Sequence, residues 1–307
     1  MKRYIAFILG MIFIGSFFVV NKQIVREVPV FLASEIRLLS GSCFLYLIGA
    51  FRKDISLHIN RIDIRMILLQ VFFGIFLFSL FSLNGLKRTS AVNSGAIMGL
   101  TPVFLLILGL FIKREKLTSR TLGIFLIACI GLIILQIGQT DRSMSSSLSG
   151  DILIFFAMIG ESIFISASQF IKGTVHPLAM SAFMTFIGSL MFMPLALFTM
   201  QGFDWTSVNA MTWACVLYSG IGITAIGVFL MNYGAAKIPL SITATLSTLM
   251  PASTCLLAVV FLHEELNKFQ IIGLCLILSS ALFTVSRSKK TQLKQTKVLE
   301  QENYEKI

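Results

Sequence analysis

Charged side chains are what this sequence has least of. Asp, Glu, Lys and Arg make up 13% of its 307 residues, about half the share in an ordinary soluble domain. That is too little polar surface to cover a soluble particle of this size, and a mean hydropathy of +0.88 agrees. Acidic residues are the scarcer sign, leaving a net charge of +11. A nucleic-acid partner is nevertheless a poor reading. No basic domain or basic helical face exists, and the Lys and Arg sit in short clusters between apolar runs, as in cytoplasmic loops. Patterned cysteine is also lacking. Cys43, Cys129, Cys215, Cys255 and Cys275 are odd in number, lie within apolar runs and form no CxxC or Cys/His pattern. Neither a disulfide framework nor a zinc site is supported, and the five read as small buried hydrophobes. Catalytic signatures are missing too: His263-Glu264-Glu265 lacks the second His of H-E-x-x-H, no second intramembrane Asp pairs with Asp151, and no P-loop or G-x-S-x-G occurs. No enzyme, cofactor or ATP use is expected.

Long apolar runs are what the sequence does have. A spanning helix needs about 20 mostly apolar residues, and ten runs qualify: 4–20, 30–50, 66–83, 91–112, 120–137, 150–171, 178–200, 211–231, 241–262 and 269–286. They are continuously apolar rather than alternating, which favours helices over barrel strands. The first run follows Met1-Lys2-Arg3 like a secretory signal, but Asn21-Lys22-Gln23 follows it with no A-x-A site, so a retained helix is expected. With the N-terminus inside, 18 of the 25 Lys and Arg fall on the cytoplasmic side, six on the other, and Arg37 lies within a span. That excess predicts both termini in the cytoplasm of a multi-pass plasma-membrane protein, hence an even number of spans.

The chain repeats itself. Shifting it by 148 to 150 residues lays Pro29 on Pro177, Gly74 on Gly222, Asn84 on Asn232, Pro102 on Pro251, Glu115 on Glu264 and Gly123 on Gly273. Leu matches in so Leu-rich a chain carry little weight, but these pairs keep one order and a nearly constant offset. Five helices per half is an odd number, so equivalent segments point in opposite directions. The charges agree: Lys113-Arg114-Glu115-Lys116 is basic, and its partner His263-Glu264-Glu265-Leu266 has lost the basic residues. The expected fold is therefore all-α and membrane-integral, with ten transmembrane helices as two inverted five-helix repeats. The first repeat is 1–137, an external linker follows at 138–149, the second repeat is 150–286, and 287–307 is a cytoplasmic polar tail. Inverted repeats are the architecture of many secondary transporters, because two related halves can exchange conformations.

Three features give the chain a family likeness. One is the five-plus-five layout. The second is the stretch from Asn84 to Pro102 and on to Glu115, with its echo from Asn232 through Pro251 to Glu264. The third is Pro29 followed by Arg37 in the second helix. In these it resembles the EamA-type branch of the drug/metabolite transporter superfamily, over residues 4–286. The resemblance implies a central cavity between the halves and gradient-driven exchange of small metabolites, commonly export of amino acids or toxic compounds. Members often carry Trp in helices one and six, where this chain has Ile14 and Glu161.

Ionisable groups inside spans cost about 2.5–3.5 kcal/mol on insertion scales, so each needs a reason. Glu161, near the middle of its span, reads either as a cavity carboxylate for a cationic group or coupling proton, or as half of a helix-locking pair with Arg37. Arg37 either holds an anionic group or makes a structural ion pair. Glu35, two positions away on another helix face, is assigned a structural or gate role. Asn93, Gln169 and Tyr218 complete the candidate substrate- or proton-binding set, although most of them, like Asn21, Gln70, Asn84, Gln136 and Asn232, fit interhelical hydrogen bonding better than ligand binding. Pro102 and Pro251, inside helices four and nine, read as gating hinges, with plain kinked packing as the alternative. The expected partners are a small-molecule substrate, membrane lipid and a coupling proton or ion; a homodimer is compatible with the sequence. Export of an amino acid or related metabolite leads, with a multidrug or lipophilic-cation exporter behind it and a channel last. The charge tally makes a direct prediction: a fluorescent protein fused to the C-terminal end glows and alkaline phosphatase fused there stays inactive. The opposite pattern would reverse the orientation.

Overall fold

The computed structural model describes residues 2–51, 61–89, 91–115, 117–137, 147–171, 175–262 and 266–304, and among them there are helices and no strands. Helices α1 (Lys2–Gly15) and α2 (Phe17–Glu27) together form one span, and α3 (Val30–Ala50) returns. Helix α4 (Arg61–Gln70) passes through a π-helical stretch, Val71–Leu77, into α5 (Phe78–Arg88). Next come α6 (Ala91–Met98), α7 (Thr101–Phe111), α8 (Ser119–Ile137) and α9 (Leu148–Ala167), which ends in a 3₁₀ turn, Ser168–Phe170. After α10 (Pro177–Met200), α11 (Ala210–Tyr218) runs through a second π-helical stretch, Ser219–Gly227, into α12 (Val228–Ala235). The chain closes with α13 (Leu240–Ser247), α14 (Leu249–Leu262) and α15 (Lys268–Tyr304). The tail expected from residue 287 thus continues α15 as helix, while the linker 138–146 and His263 to Glu265 lie outside the described residues.

Among the described residues, eight helices are long and apolar enough to cross a membrane, and two apolar helices, Thr101–Phe111 and Ser119–Leu135, are shorter. The shortness of Thr101–Phe111 has a physical cause, whereas α8 runs unbroken from Ser119 to Ile137. Pro102 has no N–H and its ring collides with the carbonyl four residues back, so the fourth apolar run cannot be one continuous helix. It stops in an i to i+3 turn, Leu100 N–H to Ile97 O at 3.0 Å, and restarts where Val103 and Phe104 N–H donate to Leu100 O. Pro102 therefore stands in the first turn of α7 rather than inside a kinked helix. Pro251 likewise lies in the first turn of α14, which begins two residues after α13 ends at Ser247.

The helices pack in matched pairs. The most extensive contacts join α3 to α10, α8 to α15, α5 to α9 and α1 to α12. The α8–α15 pair is so close that a Cβ on Gly273 would stand 2.6 Å from Leu135 N and 2.7 Å from Gly131 O. Beyond α10, the connection is tied by Asp204, whose Oδ1 accepts from Thr206 Oγ1 (2.7 Å) and Thr206 N (2.9 Å). Those donors hold its carboxyl below the usual carboxylate range. Trp205 and Trp213 stack beside it at 5.8 Å, as aromatic side chains do at a membrane interface.

Gly123 and Gly273 are partners under the 150-residue shift, yet nothing lies within 4 Å of a Cβ built on Gly123. Gly273→Ala should therefore cost about 1–3 kcal/mol through overpacking, whereas Gly123→Ala should be neutral or slightly stabilising. Thermal unfolding of the two purified variants checks this. Equal midpoints would remove the close backbone contact of α8 and α15 as a determinant of stability.

Candidate functional site

Arg37 lies two turns into α3 and is 6% exposed. Its Nη1 donates to Thr224 Oγ1 (2.9 Å) and its Nη2 to Ser79 Oγ (2.6 Å), while its guanidinium carbon stands 5.5 Å from the centre of the Phe17 ring. Its Nε is buried without a partner. Both acceptors lie in or just beyond irregular helix. Thr224 is inside the π-helical stretch Ser219–Gly227, where its hydroxyl also reaches back to Ser219 O (2.9 Å), and Ser79 follows the stretch Val71–Leu77 by two residues. From Ser219 the polar track continues to Asn21, whose Nδ2 donates to Ser219 Oγ (3.3 Å).

Glu161, on α9, is 5% exposed, and its Oε2 accepts from Thr101 Oγ1 at 3.4 Å. Thr101 is the first residue after the break between α6 and α7. Arg37 and Glu161 line the same cavity, with Ser79 and Thr224 and an apolar wall that includes Ile14, Phe17, Leu38, Ile75, Phe164 and Met231. No ion pair joins the two, so the helix-locking pair is absent and each charge is held by hydroxyls. The cavity is tight: about 50 Å³ is open to the centre of a water molecule, room for a few waters.

The other expected site residues lie elsewhere. Glu35 turns toward α10, where its Oε1 accepts from Ser189 Oγ (2.6 Å) and its Oε2 is buried without a partner. Tyr218 is 40% exposed, with its OH 3.1 Å from Ser16 Oγ. The side chain of Asn93, on α6, lies outside the described residues, as does that of Gln136. Gln70 donates to Phe164 O (2.8 Å) and Asn232 Oδ1 (3.3 Å), bridging helices, while Asn84 bonds to Leu80 O within its own helix. Thr101, Ser79 and Thr224 escaped the sequence reading because an isolated Ser or Thr in an apolar run gives no signal of its own.

Gln169 belongs to a closure at the end of the bundle where α1 begins. Its Nε2 donates to Ile238 O (2.5 Å), and its own carbonyl accepts from Lys113 Nζ (3.1 Å). Beside them Glu115 caps α13: Oε1 accepts from Leu240 N (2.7 Å) and Oε2 from Ser241 N (3.0 Å). A carboxylate there satisfies two orphan donors and the positive end of the helix dipole together. At the opposite end Lys22 Nζ donates to the carbonyls of Leu86 and Thr89, and Thr89 Oγ1 donates to Asp151 Oδ1 (2.7 Å).

The model of the EamA-like transporter family matches twice, at residues 1–137 and 148–286. Among curated proteins, the chain is 31% identical to the uncharacterized transporter YetK of Bacillus subtilis (strain 168), over 94% of this chain and 88% of that one. It is 25% identical to an uncharacterized transporter of Haemophilus influenzae, over 84% and 88%. A solved crystal structure shares 17% of its residues, with a TM-score of 0.74 over 91% of this chain and 94% of that one, a likeness of fold alone.

Removing the Glu115 carboxylate leaves two backbone donors of α13 unsatisfied. Glu115→Ala should lower stability by about 0.5–2 kcal/mol, the usual cost of losing such a cap. A thermal-unfolding midpoint unchanged from the parent protein would rule the cap out.

Proposed function

The chain belongs to the EamA-like transporter family, and from that premise we propose that it is a gradient-driven secondary transporter exporting small metabolites, amino acids or related compounds, across the cytoplasmic membrane. Membership makes it a multi-pass membrane transporter rather than a soluble protein, and the eight long apolar helices agree. The single observation that carries the finer reading is the cavity between the halves, which holds two opposite charges, Arg37 and Glu161, that do not neutralise each other through an ion pair. Opposite charges kept apart in one tight cavity suit a solute that is itself zwitterionic, or an anion moved together with a proton.

The frame proposed is ten spans in two inverted halves, 1–137 and 150–286, joined by the external linker 138–149 and followed by the cytoplasmic tail 287–307. Three observations support it. A shift of 148 takes the first π-helical stretch, which begins at Val71, onto the second, which begins at Ser219. The same shift turns the pairing of α5 with α9 into that of α12 with α1. It also makes partners of α3 and α10, which pack on one another, as do α8 and α15. The closures at the two ends of the bundle are then the gates: Glu115 and Gln169 inside, Lys22 and Thr89 outside. Pro102 and Pro251 start the helices that pivot when a gate opens.

Glu161 is assigned the coupling role, because a carboxyl kept from water and held by a single long hydrogen bond is free to exchange a proton or take a substrate amine. Gln169 acts at the inner gate rather than on the solute, and Glu35 and Tyr218 set the packing of α3 and of the outer end. A lipophilic-cation exporter would also use the carboxylate and the aromatic wall of Phe17 and Phe164, but Arg37 in the same cavity repels such a cargo.

In proteoliposomes the protein should catalyse saturable counterflow of labelled amino acids that depends on a pH gradient. Glu161→Gln should lose at least about tenfold of the gradient-driven rate, the equivalent of ~1.4 kcal/mol. Electrodiffusive single-channel currents would overturn the carrier reading, and an unchanged pH dependence in Glu161→Gln would overturn the coupling role.

A further inference from the structure

Arg37 is a buried cation to which none of the described residues brings an anion. A guanidinium keeps its charge at any physiological pH, and an ion taken out of water must be paired to be stable. Its partners here are two neutral hydroxyls and an aromatic face. Each carboxyl within reach is turned elsewhere: Glu161 to Thr101, Glu35 to Ser189. Of the five guanidinium N–H groups, two are engaged by Ser79 and Thr224, and the Nε–H is buried with nothing to bond. Ser79 and Thr224 therefore fix the plane of the fork and leave its Nε–H without a partner, in a residue that lines the cavity. A planar fork with a free edge fits a carboxylate side-on through two parallel hydrogen bonds.

We propose that Arg37 is a carboxylate-binding site whose missing counter-charge is brought by the transported solute. Arg37 is the only cation among the described residues that line the cavity. One positive charge balances one negative charge, so a monocarboxylate fits and a phosphate dianion is left undercompensated. The rest of the solute is small and mostly apolar, because beyond Arg37 it meets Ile14, Leu38, Ile75, Ile223 and Val228 in a narrow space, with the Glu161 carboxyl in the same lining for an amino group where the solute carries one. This site rests on the reading of the cavity as the transport path, but it does not depend on Glu161 carrying protons.

The test is thermal unfolding of the full-length protein in detergent with sodium butyrate, with butyramide, and with sodium chloride matched for ionic strength. Butyrate and butyramide share an apolar body and differ in the anion. A ligand bound to the folded state stabilises it by mass action, so butyrate should raise the midpoint with concentration while butyramide and chloride do not. Arg37→Gln should abolish the difference, and Arg37→Lys, which keeps the charge without the fork, should keep only part of it. Gly123→Ala, which lies outside the cavity lining and has open space around it, should retain the full preference; because binding is read without transport, a failure here leaves the coupling role of Glu161 untouched. The proposal is overturned if the parent protein does not respond to butyrate, if butyramide matches butyrate, or if the preference survives in Arg37→Gln. Should Arg37→Gln not fold, the parent comparison and Arg37→Lys decide.

Discussion

Hydrocarbon offers no hydrogen-bond partner, so every backbone polar group inside the bilayer must be satisfied within the chain. Regular helix meets that demand without help from side chains, and most of this protein is regular helix. The polar groups of the cavity concentrate where the helix is not regular. Thr224 lies inside one π-helical stretch, Ser79 lies just beyond the other, and Thr101 opens α7 immediately after a break. Those three hydroxyls are the ones that hold Arg37 and Glu161. A π-helical turn inserts an extra residue, displaces the side chains around it and is common at functional sites. In this chain hydroxyls in and beside such turns meet a guanidinium that pairs with no carboxylate among the described residues.

The ends of the bundle follow the same rule with a different solution. Where α13 begins, its first N–H groups have no partner within the helix. They are met by the carboxylate of Glu115, which sits beyond the end of α7 and so reaches across from the other half. A contact of that kind is strong in place and easily given up, because water satisfies the same donors once the end opens. In the closed cavity that exchange is limited to the few waters the space can hold. Its walls are apolar, so the charges inside are stable only with the hydroxyls they have or with a charged solute.

Much of this was legible in the sequence, for reasons that also mark where legibility stops. Composition and run length identify membrane helices because the bilayer imposes one length and one polarity. Arg37 and Glu161 stand out because a charge in an apolar run is rare, and they do share a cavity. Glu35 carries the same signal but faces Ser189 on α10, since two positions along a helix is another face. Pro102 signals an interruption without saying which kind; the backbone bonding around it, an i to i+3 turn at Leu100, shows a break. The π-helical stretches leave no trace in residue type. Nor does composition distinguish Thr224 from the helix-nine hydroxyls of Thr245, Ser247 and Thr248, which bond back to their own helix.

The symmetry proposed for the frame does not extend to the charges. The 148-residue shift carries Arg37 onto Thr185, whose hydroxyl bonds to Ser181 O and Ala182 O in its own helix, and it carries Glu161 back onto Phe13. The two halves that exchange conformations in the proposed cycle are therefore alike in backbone and unlike in chemistry. A solute held by Arg37 keeps its partner whichever end is open, because that partner belongs to α3 alone. Its affinity then changes through what surrounds the guanidinium, above all through water entering along Ser219 and Asn21. Water at Arg37 weakens its hold on an anion, since the interaction falls with the local dielectric. In such a carrier release is favoured on whichever side hydrates Arg37 more, and the polar track from Thr224 through Ser219 to Asn21 runs toward the end proposed to be external.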